Sequence, residues 1–394
     1  MENSYLSRAR EMMEEIRANR RTIHGYAELA FDLPQTVALV MKELKSYGYE
    51  PKLCGKAGVT CTVGKPGKCI LLRADMDALP TYEKTGLPFA SKNKSCHSCG
   101  HDSHTAMLLA AAKMLKERED ELEGTVKFMF QPDEEDLAGA KDMIRNGILK
   151  DPKVDAAIGL HIAIGTSTSQ LGRVRYVKGP AYFGAYATKV KVYGKSAHGS
   201  MPYEGVDALN IAAHIIVAAN ELVSREVPCT DKAIVTFGLI HGGDTCNTIG
   251  GYCEMEGAIR TADPALQDFL FERLKNQAEC IAASYRGRAE VEIMYGIGPL
   301  VNDPDTAHEI GTYCQEVVGE ENVDELSEAV FGTEDFTAVC AQVPAVMLNI
   351  GAGSIDEGYD KTLHHEGMTL DEDVLPYGAA VYAHCAEKWL KAHA

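Results

Sequence analysis

The segment Ser95-Cys96-His97-Ser98-Cys99-Gly100-His101-Asp102-Ser103-His104 carries two thiols, three imidazoles and a carboxylate within one short stretch. Thiolate and imidazole are the protein groups that hold zinc-like ions most strongly, so a metal site is the first reading. Gly100 lets Cys99 and His101 approach a common centre from either side of a sharp turn. The run that follows, residues 105–117, is rich in Ala, Met and Leu and reads as a buried helix. The cluster therefore precedes a helix N-terminus, an end that favours a thiolate or carboxylate. The Cys96-x-x-Cys99 spacing also admits a dithiol redox motif, which the interposed and following histidines make the weaker reading.

Working outward, residues 59–63 and 69–73 read as strands joined by Gly64-Lys65-Pro66-Gly67-Lys68, which has the composition of a hairpin loop. The second ends in Ala74-Asp75-Met76-Asp77. A strand over 125–130 hands over to Gln131-Pro132-Asp133-Glu134-Glu135, and one over 154–160 to His161. Open α/β sheets bind ligands beyond the carboxyl ends of their strands. Asp75, Asp77, Glu134, Glu135 and His161 are therefore expected beside Cys99 and His101. Neighbouring residues of a strand point to opposite faces, so Glu134 and Glu135 serve one site only if the strand has ended by Pro132.

Helices are expected over 1–24, 33–47, 308–318 and 373–391, and a buried strand over 345–350. Between these α/β parts the texture changes. Strands over 184–193, 233–240, 252–261 and 289–294 alternate with helices over 206–224 and 264–286, the β-α-β-β-α-β order of a split βαβ unit. The expected organisation is thus an inserted domain at 182–295 and an enclosing domain made of 1–181 and 296–394.

The chain of 394 residues is 45% apolar and 24% charged, which are globular proportions, with a formal net charge of −18. That charge disfavours nucleic acid and anionic membranes as partners and leaves a small molecule as the expected substrate. The first twenty residues lack the apolar core of a signal peptide, and no stretch approaches a membrane span, so a cytoplasmic location is expected. The twelve cysteines are scattered through the chain and read mostly as reduced core residues.

Further motifs join these: Arg73-Ala74-Asp75-Met76-Asp77-Ala78-Leu79-Pro80, Gly159-Leu160-His161, His198 within 194–202, Gly242-Gly243 through Asn247, Glu334-Asp335-Phe336 and Leu363-His364. With the opening cluster and the Glu134-Glu135 pair, the set resembles the amidohydrolase branch of the aminoacylase and carboxypeptidase-G (M20-type) metallopeptidase family. That branch includes hippurate hydrolases, N-acyl-amino-acid amidohydrolases and auxin-conjugate hydrolases. The resemblance implies a two-domain α/β fold: a catalytic domain with a mixed open sheet flanked by helices, and an inserted α+β, ferredoxin-like domain serving as lid and dimerisation surface. It also implies two divalent ions held by Cys99, His101, Glu135, His161 and His364. Zinc, manganese, cobalt and nickel all suit that donor mixture.

The same resemblance makes Glu134 the general base and Asp77 a carboxylate that orients a ligating histidine. His198 becomes the oxyanion donor, reaching the site of the partner subunit in a homodimer. Asn247 and Arg260 become the holders of the substrate's α-carboxylate, a task suited to a planar guanidinium. The implied activity is hydrolysis of N-acyl amino acids by metal-activated water. Asp133, Asp136 and Leu137 depart from the small residues usual around the Glu pair, as do Ala27, Leu33 and Gly250 from residues usual at their positions. The alternatives are a dipeptidase or carboxypeptidase of the same family and a catalytically silent metal-binding relative; retention of Glu134 counts against the last, because binding needs no base. His104, His241 and His365 are expected to be structural.

Overall fold

The computed structural model describes residues 3–394, which form two compact units. The first comprises residues 3–181, 301–328 and 335–394, and the second residues 182–300 and 329–334. The return to the first unit falls after residue 300 rather than 295 because the last strand of the second unit, Arg288–Ile297, runs three residues beyond Met294.

The first unit is built on a mixed sheet of eight strands. In spatial order these are Lys52–Cys54, Gly58–Gly64, Thr125–Gln131, Cys69–Asp75, Ala156–Ala163, Ala345–Gly351, Val174–Val177 and Val323–Leu326. The central four run parallel. Cys69–Asp75 is buried at every position, as expected of a strand with parallel neighbours on both sides and both faces covered. Helices Ser4–Glu11, Met13–Tyr26, His101–Glu117 and Leu375–Ala392 contribute Leu6, Ile16, Leu108 and Tyr382 to one core with Ile70, Leu72, Phe128 and Ile158 of the sheet. Phe336 closes the other face against Gly159 and Arg73.

Three expectations are corrected. Gly58–Gly64 and Cys69–Asp75 are not a hairpin: Thr125–Gln131 lies between them, antiparallel to the first and parallel to the second. A Gly/Pro loop permits a tight return but does not require its flanking strands to pair. The N-terminal helix is interrupted at Met12, with φ −90° and ψ 4°. The helix after the cluster starts at His101, four residues ahead of Thr105, so His101 and His104 share its first turns.

In the second unit four antiparallel strands stand in the order Ala233–Gly242, Tyr252–Thr261, Gly184–Tyr193, Arg288–Ile297, the split βαβ topology. Helices Ala208–Glu226 and Pro264–Ser284 cover one face, burying Ile211, Ile215 and Ala278 against Val190, Val192 and Met255. Both helices start where the Asp207 and Asp263 carboxylates accept from the first turn's N–H groups, and Pro264 adds a φ already suited to a helix start.

Candidate active site

Three parallel strands deliver the site. The carboxyl ends of Cys69–Asp75, Thr125–Gln131 and Ala156–Ala163 supply or lead into Asp75 and Asp77, Glu134 and Glu135, and His161. Gly100 turns the incoming chain into His101–Glu117 with φ 86° and ψ 12°. A Cβ at this position would stand 2.3 Å from Ile162 Cδ1, so the turn needs glycine for space as well as for conformation.

The side chains meet at the sheet edge. Cys99 Sγ is 3.4 Å from His161 Nε2. His101 Nε2 lies 3.9 Å from Glu135 Oε1 and 4.0 Å from Glu134 Oε2, and His364 Nε2 is 3.7 Å from Glu135 Oε2. Donor atoms of Cys99, His101 and His161 fall within 4.8 Å of one another, as do those of Cys99, Glu135 and His364 and of His101, Glu134 and Glu135.

The ring nitrogens are committed in a telling way. His101 Nδ1–H donates to the Asp77 carbonyl at 2.9 Å, and His161 Nδ1–H to the Ile162 carbonyl at 2.7 Å. Each ring therefore turns Nε2 toward the cluster. His101 Nε2 and Glu135 Oε1 are buried and have no hydrogen-bond partner, an arrangement costly unless another group occupies the position between them. Burial holds the His161 imidazole well below its usual pKa, hence neutral and able to act as a ligand. It also drives the Cys99 thiol well above its ordinary value and Glu135 up to about 7. A divalent ion reverses both shifts by replacing the proton. Imidazole, thiolate and carboxylate together fit borderline divalent ions.

Asp77 organises the acidic pair from behind. Its Oδ1 accepts the Glu134 N–H at 3.1 Å and its Oδ2 the Glu135 N–H at 3.2 Å. The strand has ended at Gln131, and Asp133 takes φ 54°, so both glutamates leave one turn toward one site. Glu134 Oε1 also receives the Asp335 N–H at 3.4 Å. His364 adopts φ 66° and its N–H donates to the Ser98 carbonyl at 2.8 Å, which ties its loop to the Cys99 turn.

Other members of the motif stand apart from these donor groups. His97 is buried with neither ring nitrogen hydrogen-bonded, and burial lowers its pKa to about 4. Cys96 pairs through its backbone with Leu79, and both Cys96 and Cys99 are free thiols. Sequence reasoning gave no role to Arg73, Gln131 and Asp335, which form a buried lattice beneath the strand ends: Arg73 Nε donates to Gln131 Oε1 at 2.8 Å and Arg73 Nη2 to Asp335 Oδ1 at 3.1 Å. Their presence in the quoted motifs was the available signal.

A second network braces the helix Met13–Tyr26 to the cluster. Asp102 Oδ2 accepts from Arg20 Nε at 2.9 Å and from His24 Nδ1 at 2.8 Å, and His24 Nε2 meets Glu83 Oε1 at 3.0 Å. Burial alone would lower the His24 pKa, but the Asp102 hydrogen bond and charge, then the Glu83 hydrogen bond, outweigh it and raise it to about 9. A raised folded-state value contributes stability that is fully present below the unfolded pKa near 6.5 and is lost as pH climbs through about 9. In metal-stripped protein His24 is expected to contribute on the order of 3 kcal/mol to the loss across that window. In His24→Gln this limb should flatten. Urea midpoints followed by the fluorescence of Trp389, the sole tryptophan, check this for the first unit; an equal slope in both proteins would remove His24 as the cause.

The second unit carries the remaining expected residues. His198 lies on the short strand Ala197–His198, paired with Thr248–Ile249. Its Nδ1 accepts from the Ser200 N–H at 3.2 Å, with Ser200 Oγ 2.8 Å away. Asn247 is exposed beside it, its carbonyl accepting the Gly199 N–H at 2.8 Å. Arg260, on Tyr252–Thr261, donates to Thr333 Oγ1 at 3.3 Å.

A family model described as peptidase family M20/M25/M40 matches residues 71–388. N-acetyl-L-cysteine deacetylase of Bacillus subtilis is 37% identical over 90% of this chain and 83% of its own length. Thermostable carboxypeptidase 1 of Saccharolobus solfataricus is 34% identical, with 96% of each chain covered. The crystal structure of a B. subtilis protein described as a dinuclear metal-binding peptidase of the M20 family superposes with a TM-score of 0.83 at 28% identity, covering 97% of this chain and 99% of the other.

Proposed function

We propose, from the premise that the chain belongs to peptidase family M20/M25/M40 and is therefore a hydrolase of amide bonds, that it cleaves N-acyl amino acids into an acyl acid and a free amino acid. The observation that carries the reading is the convergence of buried, unpartnered His101 Nε2 and Glu135 Oε1 with Cys99, His161 and His364 beside the Glu134 carboxylate. Those five residues would hold two divalent ions, zinc or manganese, with cobalt or nickel compatible with the same donors. When bound, the ions supply Lewis acidity toward the scissile carbonyl and lower the pKa of water.

The protein's own groups do the rest. Glu134 accepts the proton of the attacking water and returns it to the departing amine, a general base and acid cycle. Asp77 keeps Glu134 and Glu135 in their turn through the two N–H hydrogen bonds described above. Ser200 N–H donation to His198 Nδ1 leaves Nε2–H as the donor for the developing oxyanion at the site of the partner subunit. Arg260 and Asn247 hold the α-carboxylate. The protein works as a cytoplasmic homodimer. Dimerisation through the inserted unit is supported by its edge strand Ala233–Gly242, which leaves Ile234, Leu239 and Ile240 exposed. Among the described residues no helix is long and apolar enough to cross a membrane.

Carboxypeptidase action is the second reading, favoured by the relative of that name. The test is release of amino acid from N-acetyl, N-benzoyl and N-indoleacetyl amino acids and from dipeptides, using protein stripped by chelator and resupplied with zinc or manganese. Metal-restored kcat/KM at least about tenfold higher for acyl amino acids is expected. The reverse ratio would assign the carboxypeptidase activity.

A further inference from the structure

Past Gly159 the strand Ala156–Ala163 loses a neighbour on one side. Its pairing with Cys69–Asp75 stops at Arg73↔Gly159, whereas Ala345–Gly351 follows the other edge as far as Ala163. On the vacated edge the Ile162 N–H donates to an imidazole instead, His104 Nε2, at 2.9 Å. Accepting there puts the His104 proton on Nδ1, which donates to Asp75 Oδ1 at 2.6 Å. Asp75 Oδ2 is fixed in turn by Arg73 Nη1 at 2.7 Å. The His104 ring also packs edge-on against that of His161, centroids 4.5 Å apart and planes at 62°. All three of Arg73, Asp75 and His104 are fully buried.

These contacts surround one residue. Ile162 has its N–H held by His104 and its carbonyl held by the His161 ring, so the backbone that carries His161 is clamped on the side where the sheet has ended. The rotation of the His161 ring is limited by the same imidazole. We infer that His104 is a positioning residue for His161, replacing the missing strand and aiming His161 Nε2 at the Cys99 sulfur 3.4 Å away. The inference rests on the proposed function insofar as His161 is taken there as a metal ligand. Partners that orient a ligating histidine typically change metal affinity by about 10–100-fold when removed.

Two substitutions separate the acceptor from the bulk of the ring. His104→Asn retains a donor near the Nδ1 position but has no acceptor that reaches Ile162. His104→Gln places an amide oxygen near the Nε2 position. Zinc binding to the full chain, measured by competition with a chromophoric chelator, is expected to show two ions per wild-type chain. His104→Asn should weaken one of them by about 10–100-fold, while His104→Gln should stay within about threefold of wild type. Cobalt loading should give an altered d–d absorption spectrum in the Asn variant alone.

Unchanged zinc affinity in His104→Asn would overturn the inference, even with a lowered Trp389 unfolding midpoint, because His104 would then be structural only. Equal losses in both variants would overturn it too, since packing rather than the acceptor would be responsible. Failure of the wild-type chain to bind two zinc ions would instead remove the ligand assignment on which the proposed function stands.

Discussion

Glu134→Ala is expected to lower kcat by about 10²–10⁴-fold while zinc or manganese content stays at the wild-type value. Glu134 and Glu135 are adjacent, and one oxygen of each lies at nearly the same distance from His101 Nε2, 4.0 and 3.9 Å. Distance to this nitrogen does not divide their roles; their other contacts do. Glu135 reaches His364 at 3.7 Å and keeps Oε1 unpartnered among Cys99, His101 and His364, the position of a ligand. Glu134 directs Oε1 to the Asp335 N–H instead, which holds its carboxylate beside the donors. Glu135→Ala should therefore lose bound metal and Glu134→Ala should not. Metal analysis of both variants after dialysis, alongside kcat on the best acyl amino acid of the panel, decides between them. Metal loss with retained turnover in Glu134→Ala would exchange the two assignments.

Much of this site was legible because its chemistry is local in sequence. Cys99, Gly100 and His101 are consecutive, the Glu pair follows a strand that stops at Gln131, and His161 lies at the end of an apolar run, so residue type and strand ends were enough to group them. What was not legible is non-local. Nothing in Gly64-Lys65-Pro66-Gly67-Lys68 shows that a strand more than fifty residues later will separate its two flanks. The strands Val174–Val177 and Val323–Leu326, the last two of the sheet, have only four residues each, and Arg175, Asp324 and Glu325 interrupt their apolar pattern. His364 joins the donors through a left-handed backbone conformation, φ 66°, which a histidine adopts less readily than glycine and which no neighbouring residue type announces. His104 is legible as a buried histidine, but its acceptor role depends on where two strands cease to pair.

Arg73 illustrates the same limit and supports the largest stability prediction. A charged residue inside Cys69–Asp75 reads as the end of an apolar run, yet it is wholly buried. Its guanidinium donates to Asp75 at 2.7 Å, Gln131 at 2.8 Å and Asp335 at 3.1 Å, and lies 5.7 Å over the Phe336 ring. Asp335 also accepts from Gln131 Nε2 at 2.6 Å and from the Ala140 N–H at 2.8 Å, and Arg73→Met takes the guanidinium charge away from it. Asp75 would keep His104. Against burial, the charges of His101 and Arg73 and the His104 hydrogen bond hold the Asp75 carboxyl well below its usual range. Arg73→Met is therefore expected to cost about 3–5 kcal/mol, the penalty of stranding buried carboxylates rather than the net worth of the ion pairs. Urea unfolding of metal-stripped protein, followed at Trp389, measures this in the first unit. Adding Asp335→Asn removes one of the stranded charges, so the double variant should be destabilised by less than the sum of the two single changes. A cost below about 1 kcal/mol in Arg73→Met, or strict additivity in the double variant, would mean that the lattice tolerates loss of the guanidinium charge and that Arg73 serves the site in some way other than charge compensation.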